Sequence, residues 1–337
     1  MRRRGLSVTA SEAVGAAKMA MNQVQFQKGL SLTEFQASYG NEALCERALE
    51  RSRWPGGFSC PKCGKSAHRR FHRQTRLYLE CSACGHQASL IAKTIFASSK
   101  LALCVWFQAI YVLTQTKNNV AALELKRHLG VCYRTAWRIK HKLMQVMNLR
   151  EEGRKLVGFI QIDDAYLGGE CMGGKSGRGS PNKQAFVIAV STTLDDRPLH
   201  AVIRTVSSFT NAAMATFYAK HVVPESEVCS DGLASFAVAE RQNLAHTVIK
   251  SESPRTASKI PAMRWVNTVL SNVKRSLDGT YHAIKFKKYA QRYLNEAAWR
   301  FNRRTDLAGL ASRLVMHAAQ CATNPEKKLR LMPNCAY

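Results

Sequence analysis

The sequence predicts an α/β chain in three parts: a small metal-bound ribbon, a helical segment and a larger mixed domain. Three observations carry this reading. Two C-x-x-C pairs, Cys60/Cys63 and Cys81/Cys84, enclose 17 residues. Between 101 and 148 apolar residues recur at helical spacing. From 156 onward the pattern runs three strands, a helix, a strand, a helix, a strand and then helices, the order of an RNase H-like fold.

Charge sets the expected partner. Of 337 residues, 50 are Lys or Arg and 23 are Asp or Glu, a formal excess of 27. A field of that sign suits a polyanion, with nucleic acid first and an anionic membrane surface second. The longest apolar run, LALCVWFQAIYVL (101–113), is too short to span a bilayer and reads as a buried helix, so no membrane partner is expected. The N-terminal MRRRGLSVTASEAVGAAKMAM has basic residues but no apolar h-region; it reads as a disordered leader over 1–30, with Met19 or Met21 as alternative starts. Of 11 cysteines, seven are scattered, several in apolar patterns, and four form the two pairs, which suits a reducing compartment and a metal site rather than disulfides. A cytoplasmic protein is expected.

The ribbon is placed at 31–98. Residues 31–55 read as a short helix ending at Pro-Gly-Gly. In CPKCGKSAHRRFHRQTRLYLECSACGH (60–86) each C-x-x-C turn presents two thiolates to one tetrahedral ion, and a Gly follows each pair to relieve the turn. Cys60, Cys63, Cys81 and Cys84 are therefore the expected ligands of a structural Zn²⁺, because four thiolates leave no open position. RLYLEC supplies a strand. HRRFHRQTR reads as a basic loop, with Arg69 and Arg70 as candidate DNA contacts and His68, His72 and His86 as non-ligands.

The segment 99–150 resembles a helix-turn-helix: a helix at 120–128, a turn at Gly130, and a second helix with Ala136, Ile139 and Leu143 inward. Arg134, Arg138, Lys140 and Lys142 are expected on exposed faces, with Arg134, Arg138 and Lys142 the candidate DNA contacts. Three-helix packing without DNA contact fits the same pattern. The mixed domain is placed at 156–305, and 306–337 as a C-terminal tail.

In FIQIDDAYLGGE (159–170) alternation places Phe159, Gln161 and Asp163 on one face of a strand and Asp164 on the other. Asp231 ends a second apolar strand and precedes Gly232. Carboxylates at neighbouring strand ends can converge on Mg²⁺ or Mn²⁺, although an Asp beside a strand-ending Gly is usually a turn residue. On the later helix Val266, Val269, Leu270, Val273 and Leu277 form an apolar stripe beside a polar stripe of Asn267, Ser271, Lys274 and Asp278. Asn267 and Lys274, one heptad apart, return to nearly the same face.

At this point the chain resembles bacterial insertion-sequence transposases that join an N-terminal zinc ribbon to a DDE-type, RNase H-like catalytic domain. The resemblance rests on RWPGGFSCPKCG, IDDAYLGG, SDG, VNTVLSNVKR, GTYH and YLNEAAWRFNRR, which span about 35–305. It implies the variant with two Asp, then Asn, then Lys: Asp163 and Asp231 as acidic ligands of Mg²⁺ or Mn²⁺, Asn267 in the third place, and Lys274 following. Asp164 receives no metal role. His282 is a candidate for contact with DNA or the scissile phosphate. Two positions depart from the pattern: Ala165, where a hydroxyl residue is common, and Leu270, where an acid is common. The implied activity is metal-dependent cleavage at terminal inverted repeats and strand transfer into target DNA, by an oligomer of the chain on double-stranded DNA at the nucleoid. The basic stretch KFKKYAQRYLNEAAWRFNRR (285–304), with its apolar stripe Phe286, Tyr289, Tyr293, Ala297 and Phe301, is expected to line a phosphate channel. A catalytically decayed DNA-binding regulator and a structure-specific nuclease on the same fold are the competing readings.

Overall fold

The computed structural model describes residues 24–168, 183–249, 260–281 and 286–331. Most of the expected leader, His282 and the side chain of Phe286 lie outside the described residues. The segment expected as one N-terminal helix is two, α1 (Leu32–Tyr39) and α2 (Glu42–Arg53). A capping box between Ser31 and Glu34 starts α1. The break falls at Gly40, after which extended Asn41 caps α2 by accepting the Leu44 amide at 2.9 Å.

The ribbon is a three-stranded antiparallel sheet: β1 (His68–Arg73), β2 (Arg76–Cys81) and β3 (Gln87–Ser89). Along β2 the side chains of Leu77, Leu79 and Cys81 alternate into the core, as period-2 patterning requires. His68–Arg73 is a strand rather than the expected basic loop. It lacks apolar alternation, and its backbone pairing with β2 fixes it instead.

Helices α3 (Leu103–Gln115), α4 (Ala122–Leu129) and α5 (Tyr133–Glu151) follow. Gly130, at φ +63, closes α4 in the left-handed conformation that a side chain disfavours. Ala136, Ile139 and Leu143 are buried as the helical pattern requires.

The mixed domain contains β4 (Phe159–Leu167), β5 (Gln184–Thr192), β6 (Pro198–Thr205), α6 (Asn211–His221), β7 (Glu227–Ser230), a 3₁₀ run (Ala234–Gln242), β8 (Ala245–Val248), α7 (Arg264–Thr280) and α8 (Phe286–Phe301). Its sheet has the order β6-β5-β4-β7-β8, antiparallel from β6 to β4 and parallel thereafter. Thr210 caps α6. Ile160, Ile162 and Val187 pack with Phe217 of α6 on one sheet face. Ile188, Ile203 and Ala165 pack with Val266, Val273 and Leu294 on the other, so α7 and α8 cover the face to which Asp163 belongs.

The C-terminal part expected as a tail instead forms α9 (Leu310–Gln320) and α10 (Glu326–Arg330). Leu310, Leu314 and Ala318, at helical spacing, are buried in one core with α2, α3 and α5. The helical core is therefore closed by residues from both ends of the chain.

Helix α8 joins that core to the sheet. At the end of α5 the buried Glu151 accepts from Arg303 at 2.5 Å, Asn302 at 2.7 Å and Arg154 at 2.7 Å, and its carbonyl accepts from Arg204 at 2.6 Å. Burial alone would raise the carboxyl's pKa, but Arg154 and Arg303 outweigh it and hold it below its ordinary value. Lys140 is also buried, donating to the Val120 carbonyl at 2.6 Å and the Tyr281 hydroxyl at 2.7 Å, with Glu296 at 3.4 Å.

Leu314 is fully buried. Leu314→Ala is expected to cost about 2–5 kcal/mol through lost burial and the cavity left behind. Urea unfolding read by circular dichroism measures it; a loss under about 1 kcal/mol would return 306–331 to the status of a tail.

Candidate active site and zinc centre

The sulfur atoms of Cys60, Cys63, Cys81 and Cys84 lie within 4.8 Å of one another. Cys60 and Cys84 are 3.7 Å apart, and Cys63 and Cys81 are 3.5 Å apart. Four sulfurs about 2.3 Å from a tetrahedral zinc ion sit about 3.8 Å apart, so the cluster fits one Zn²⁺. Both knuckles are built alike. The Gly64 amide donates to the Cys60 carbonyl and the Gly85 amide to the Cys81 carbonyl, each at 2.9 Å, with the glycines at φ +74 and +67. A side chain at either glycine would be strained in that conformation. His72 pairs with Glu46 at 3.1 Å, and no histidine joins the cysteine cluster among the described residues.

The second cluster is acidic. Oxygens of Asp163, Asp164 and Asp231 lie within 4.8 Å of one another. Parallel pairing between β4 and β7 ends at Ile162 opposite Ser230, one residue before these side chains. Among the described residues β4 is paired beyond that point to β5, where Asp163 lies opposite Ile188, and the β4–β7 ladder does not continue past Ile162. The expectation that Asp164 turns away from the site is corrected here. Alternation puts the two side chains on opposite faces, but past the end of the β4–β7 ladder both reach the same cluster with Asp231. Asp163 also curls toward its neighbour, accepting the Asp164 amide at 2.8 Å. The adjacent acids were visible in the sequence; the end of the pairing was not. After β7, Gly232 turns the chain at φ +95 and Asp231 accepts the Leu233 amide at 3.3 Å.

Burial, then Asp231 and Asp164, push the Asp163 carboxyl up to about 7, against the opposing pull of the Asp164 amide and Lys274. Lys274, half-buried on α7, is thus close enough for its charge to reach Asp163. Asn267, half-buried, donates its Nδ2 to the Met263 carbonyl at 2.9 Å, which leaves Oδ1 as its acceptor end. Hard carboxylate and carboxamide oxygens suit Mg²⁺ or Mn²⁺ better than a soft ion. Ala165 and Leu270, the two departures from the resembled pattern, are both buried in the core beneath α7.

The residues expected to meet DNA have different surroundings. Arg134 and Arg138 are exposed near the start of α5, but Glu326 of α10 lies 3.1 Å from Arg134 and 3.9 Å from Arg138. Lys142 is not on an exposed face: it is half-buried and donates to the Ile95 carbonyl at 2.6 Å, while Lys140 is buried as described. Arg69 is exposed and pairs with Glu80 at 2.8 Å, and Arg70 with Glu50 at 3.2 Å. Of the expected phosphate channel along 285–304, Lys285 and the side chain of Lys287 lie outside the described residues, and four arginines are engaged within the protein. Buried Arg292 bonds His141 and Gln145, each at 3.2 Å. Burial, with Arg292, holds that histidine neutral, its pKa near 2. Arg300 bonds the carbonyls of Thr116, Lys117 and Asn118, Arg303 bonds Glu151, and Arg304 bonds the carbonyls of Pro198 and Leu199. These guanidiniums fasten elements together. Among the described residues no helix is long and apolar enough to cross a membrane.

Comparison with known proteins bears on both centres. Residues 40–87 match the transposase zinc-ribbon domain, and residues 155–302 match the ISXO2-like transposase domain. An uncharacterised protein in the transposable element ISH50 of Halobacterium salinarum is 26% identical over 132 residues. That match spans 39% of this chain and 43% of the relative, so less than half of the relative's length is covered. A simian T-cell lymphotropic virus intasome structure, in complex with the PP2A regulatory subunit B56 gamma, aligns over 56% of this chain and 66% of its own. With a TM-score of 0.27 and 10% identity, that likeness is too small to bear on the fold.

Cys81→Ser is expected to remove bound zinc and unfold the ribbon locally, because binding and folding of such a site are one event. Elemental analysis and hydrogen exchange over 58–90 read this, and full zinc occupancy in the variant would contradict it. The acidic cluster carries a pH signature. Its raised pKa means that folded Asp163 keeps its proton while the unfolded chain, at an ordinary 3.8, releases it. Without a divalent ion, stability therefore falls as pH rises from about 4 to about 7 and stays lower above that window. Millimolar Mn²⁺ is expected to raise the melting temperature more at about pH 8 than at about pH 5, and Asp163→Asn to abolish that difference. Equal shifts at both pH values would mean that no ion binds there.

Proposed function

We propose, since the chain belongs to the insertion-sequence transposases that join a zinc ribbon to an ISXO2-like transposase domain, that it binds the terminal inverted repeats of its element, cuts there and joins the 3′-hydroxyls to target DNA. The observation that carries this reading is the meeting of Asp163, Asp164 and Asp231 past the end of the β4–β7 ladder, with Lys274 of α7 within electrostatic reach. Asp163 and Asp231 hold Mg²⁺ or Mn²⁺, with Asn267 in the third place and Asp164 beside them. The bound ions supply activation of water or a 3′-hydroxyl and stabilisation of the leaving oxygen. Lys274, a point charge one heptad from Asn267, holds the scissile phosphate in line. The zinc ribbon, through Arg69 and Arg70, and the helix-turn-helix, through Arg134 and Arg138, hold the flanking duplex by its phosphates. The formal excess of 27 positive charges supports a polyanionic substrate. Action as an oligomer on DNA, in the cytoplasm, belongs to the same reading.

Cleavage of DNA carrying the element's ends tests it. Asp163→Ala and Asp231→Ala are each expected to lower the rate by about 1,000-fold or more, roughly 4 kcal/mol of barrier, while DNA affinity stays near wild type. Asn267→Ala loses most activity, Asn267→Asp keeps part of it, and Lys274→Ala impairs positioning of the DNA. A wild-type chain that binds the ends but never cuts them would be a DNA-binding regulator. One that cuts branched DNA without joined products would be a nuclease. Affinity for duplex DNA is also expected to fall by about 0.9 log units per log unit of salt for each phosphate contact. Arg69→Ala should reduce that slope by about one contact; an unchanged slope would exclude this arginine from the interface.

A further inference from the structure

We infer that Gln161 is a positioning residue for the proposed site: from β4 it caps helix α7 and fixes the phase at which Asn267 and Lys274 meet the carboxylates. The inference rests on the reading of Asn267 as the third metal ligand.

Helix α7 does not cap itself. Met263 occupies its N-cap position and offers no side-chain acceptor, so the first-turn amides need a partner from elsewhere. Gln161 supplies it. Its Oε1 accepts the Trp265 amide at 2.8 Å and the Val266 amide at 2.9 Å, and its Nε2 donates to the Pro261 carbonyl at 3.5 Å. The side chain is fully buried, so a carboxamide without these partners would incur the cost of an unsatisfied polar group.

Two amides sharing one oxygen constrain the helix in rotation as well as position. A slip of one residue would turn α7 by about 100° and break both bonds. Asn267 directly follows Val266, so its carboxamide inherits this setting, and Lys274 inherits it from the same rigid helix. Gln161 and Asp163 are alternate residues of one strand, locked opposite Val190 and Ile188 of β5. One strand therefore carries both an acidic ligand and the bond that places the helix against it. The turn between β5 and β6 steadies the same helix start from outside, where Asp196 receives Trp265 Nε1 on its carbonyl at 2.7 Å and Arg264 on its carboxylate at 3.0 Å. Those contacts are more exposed than the buried Gln161 bonds and reach residues ahead of Val266.

The test is Mn²⁺ affinity, measured by calorimetric titration of the full, zinc-loaded chain. Gln161→Met keeps an unbranched side chain of similar length and removes the acceptor. It is expected to weaken Mn²⁺ binding about 10–100-fold, the usual loss when a group supporting a metal ligand is removed. Gln161→Glu still accepts both amides and should bind Mn²⁺ nearly as wild type does. Combined with Asn267→Ala, Gln161→Met should add nothing, because the ligand it positions is already gone. Thermal unfolding checks that each variant folds, and Gln161→Ala replaces the methionine variant if that one does not. Wild-type affinity in Gln161→Met, or an equal loss with and without Asn267, would overturn the inference while leaving the site reading intact. If Asn267→Ala itself binds Mn²⁺ like wild type, Asn267 is not a ligand, and that reading and this inference fall together.

Discussion

Like charge crowded past the end of the β4–β7 ladder is the constraint around which the mixed domain is arranged. With carboxylate oxygens within 4.8 Å of one another, ionised pairs repel, most strongly at half-buried Asp163 and Asp164 and less at exposed Asp231, where water screens the charge. Burial first, and then this like charge, lead Asp163 to hold its proton up to about 7. The sheet tolerates the arrangement because the β4–β7 pairing is already complete at Ile162 and Ser230, so the acids distort no ladder. The nearby Lys274 offsets only part of the repulsion. A divalent cation would offset much more, and such a site is poorly stable when empty and ready to bind.

Holding that cluster against α7 requires a rigid surround, and four arginines of α8 and the turn after it serve this purpose. Arg292, Arg300, Arg303 and Arg304 bind carbonyls, His141, Gln145 and Glu151 within the protein. A guanidinium satisfies several acceptors at once in a fixed plane, which suits it to joining a helical core to a sheet where loops end in unpaired carbonyls. The formal excess of 27 positive charges therefore overstates the charge free to meet a polyanion. Arg69, Arg134 and Arg138 remain exposed, each facing one carboxylate, and such surface pairs exchange readily for phosphate because each is worth only about 0–1 kcal/mol.

The sequence alone determined the features that depend on local rules. The spacing of Cys60, Cys63, Cys81 and Cys84 defined a ligand set because two tight turns and one ion demand it. Period-2 and period-3.6 patterns placed the strands and helices of the mixed domain, and Gly130 marked the turn between α4 and α5. The adjacency of Asp163 and Asp164, and the step from Asn267 to Lys274, were legible as chemistry. Tertiary structure decided whatever turned on where pairing stops and on which partner a polar side chain finds. Asp164 joined the acidic cluster because β7 ends one residue too early to hold it apart. Lys142 went inward because the Ile95 carbonyl was waiting for it, although helical periodicity marks it as surface. Lys140 shares the buried face of Ala136 and Leu143 by helical phase, and Glu296, Tyr281 and the Val120 carbonyl satisfy its charge there. Residues 310–320 became core because helices distant in sequence left an apolar face to cover. Gln161, an unremarked polar residue in an apolar strand, found its two amides more than a hundred positions away. Periodicity reports how a residue faces its own element, whereas the partner it meets across space is fixed only when the chain is folded.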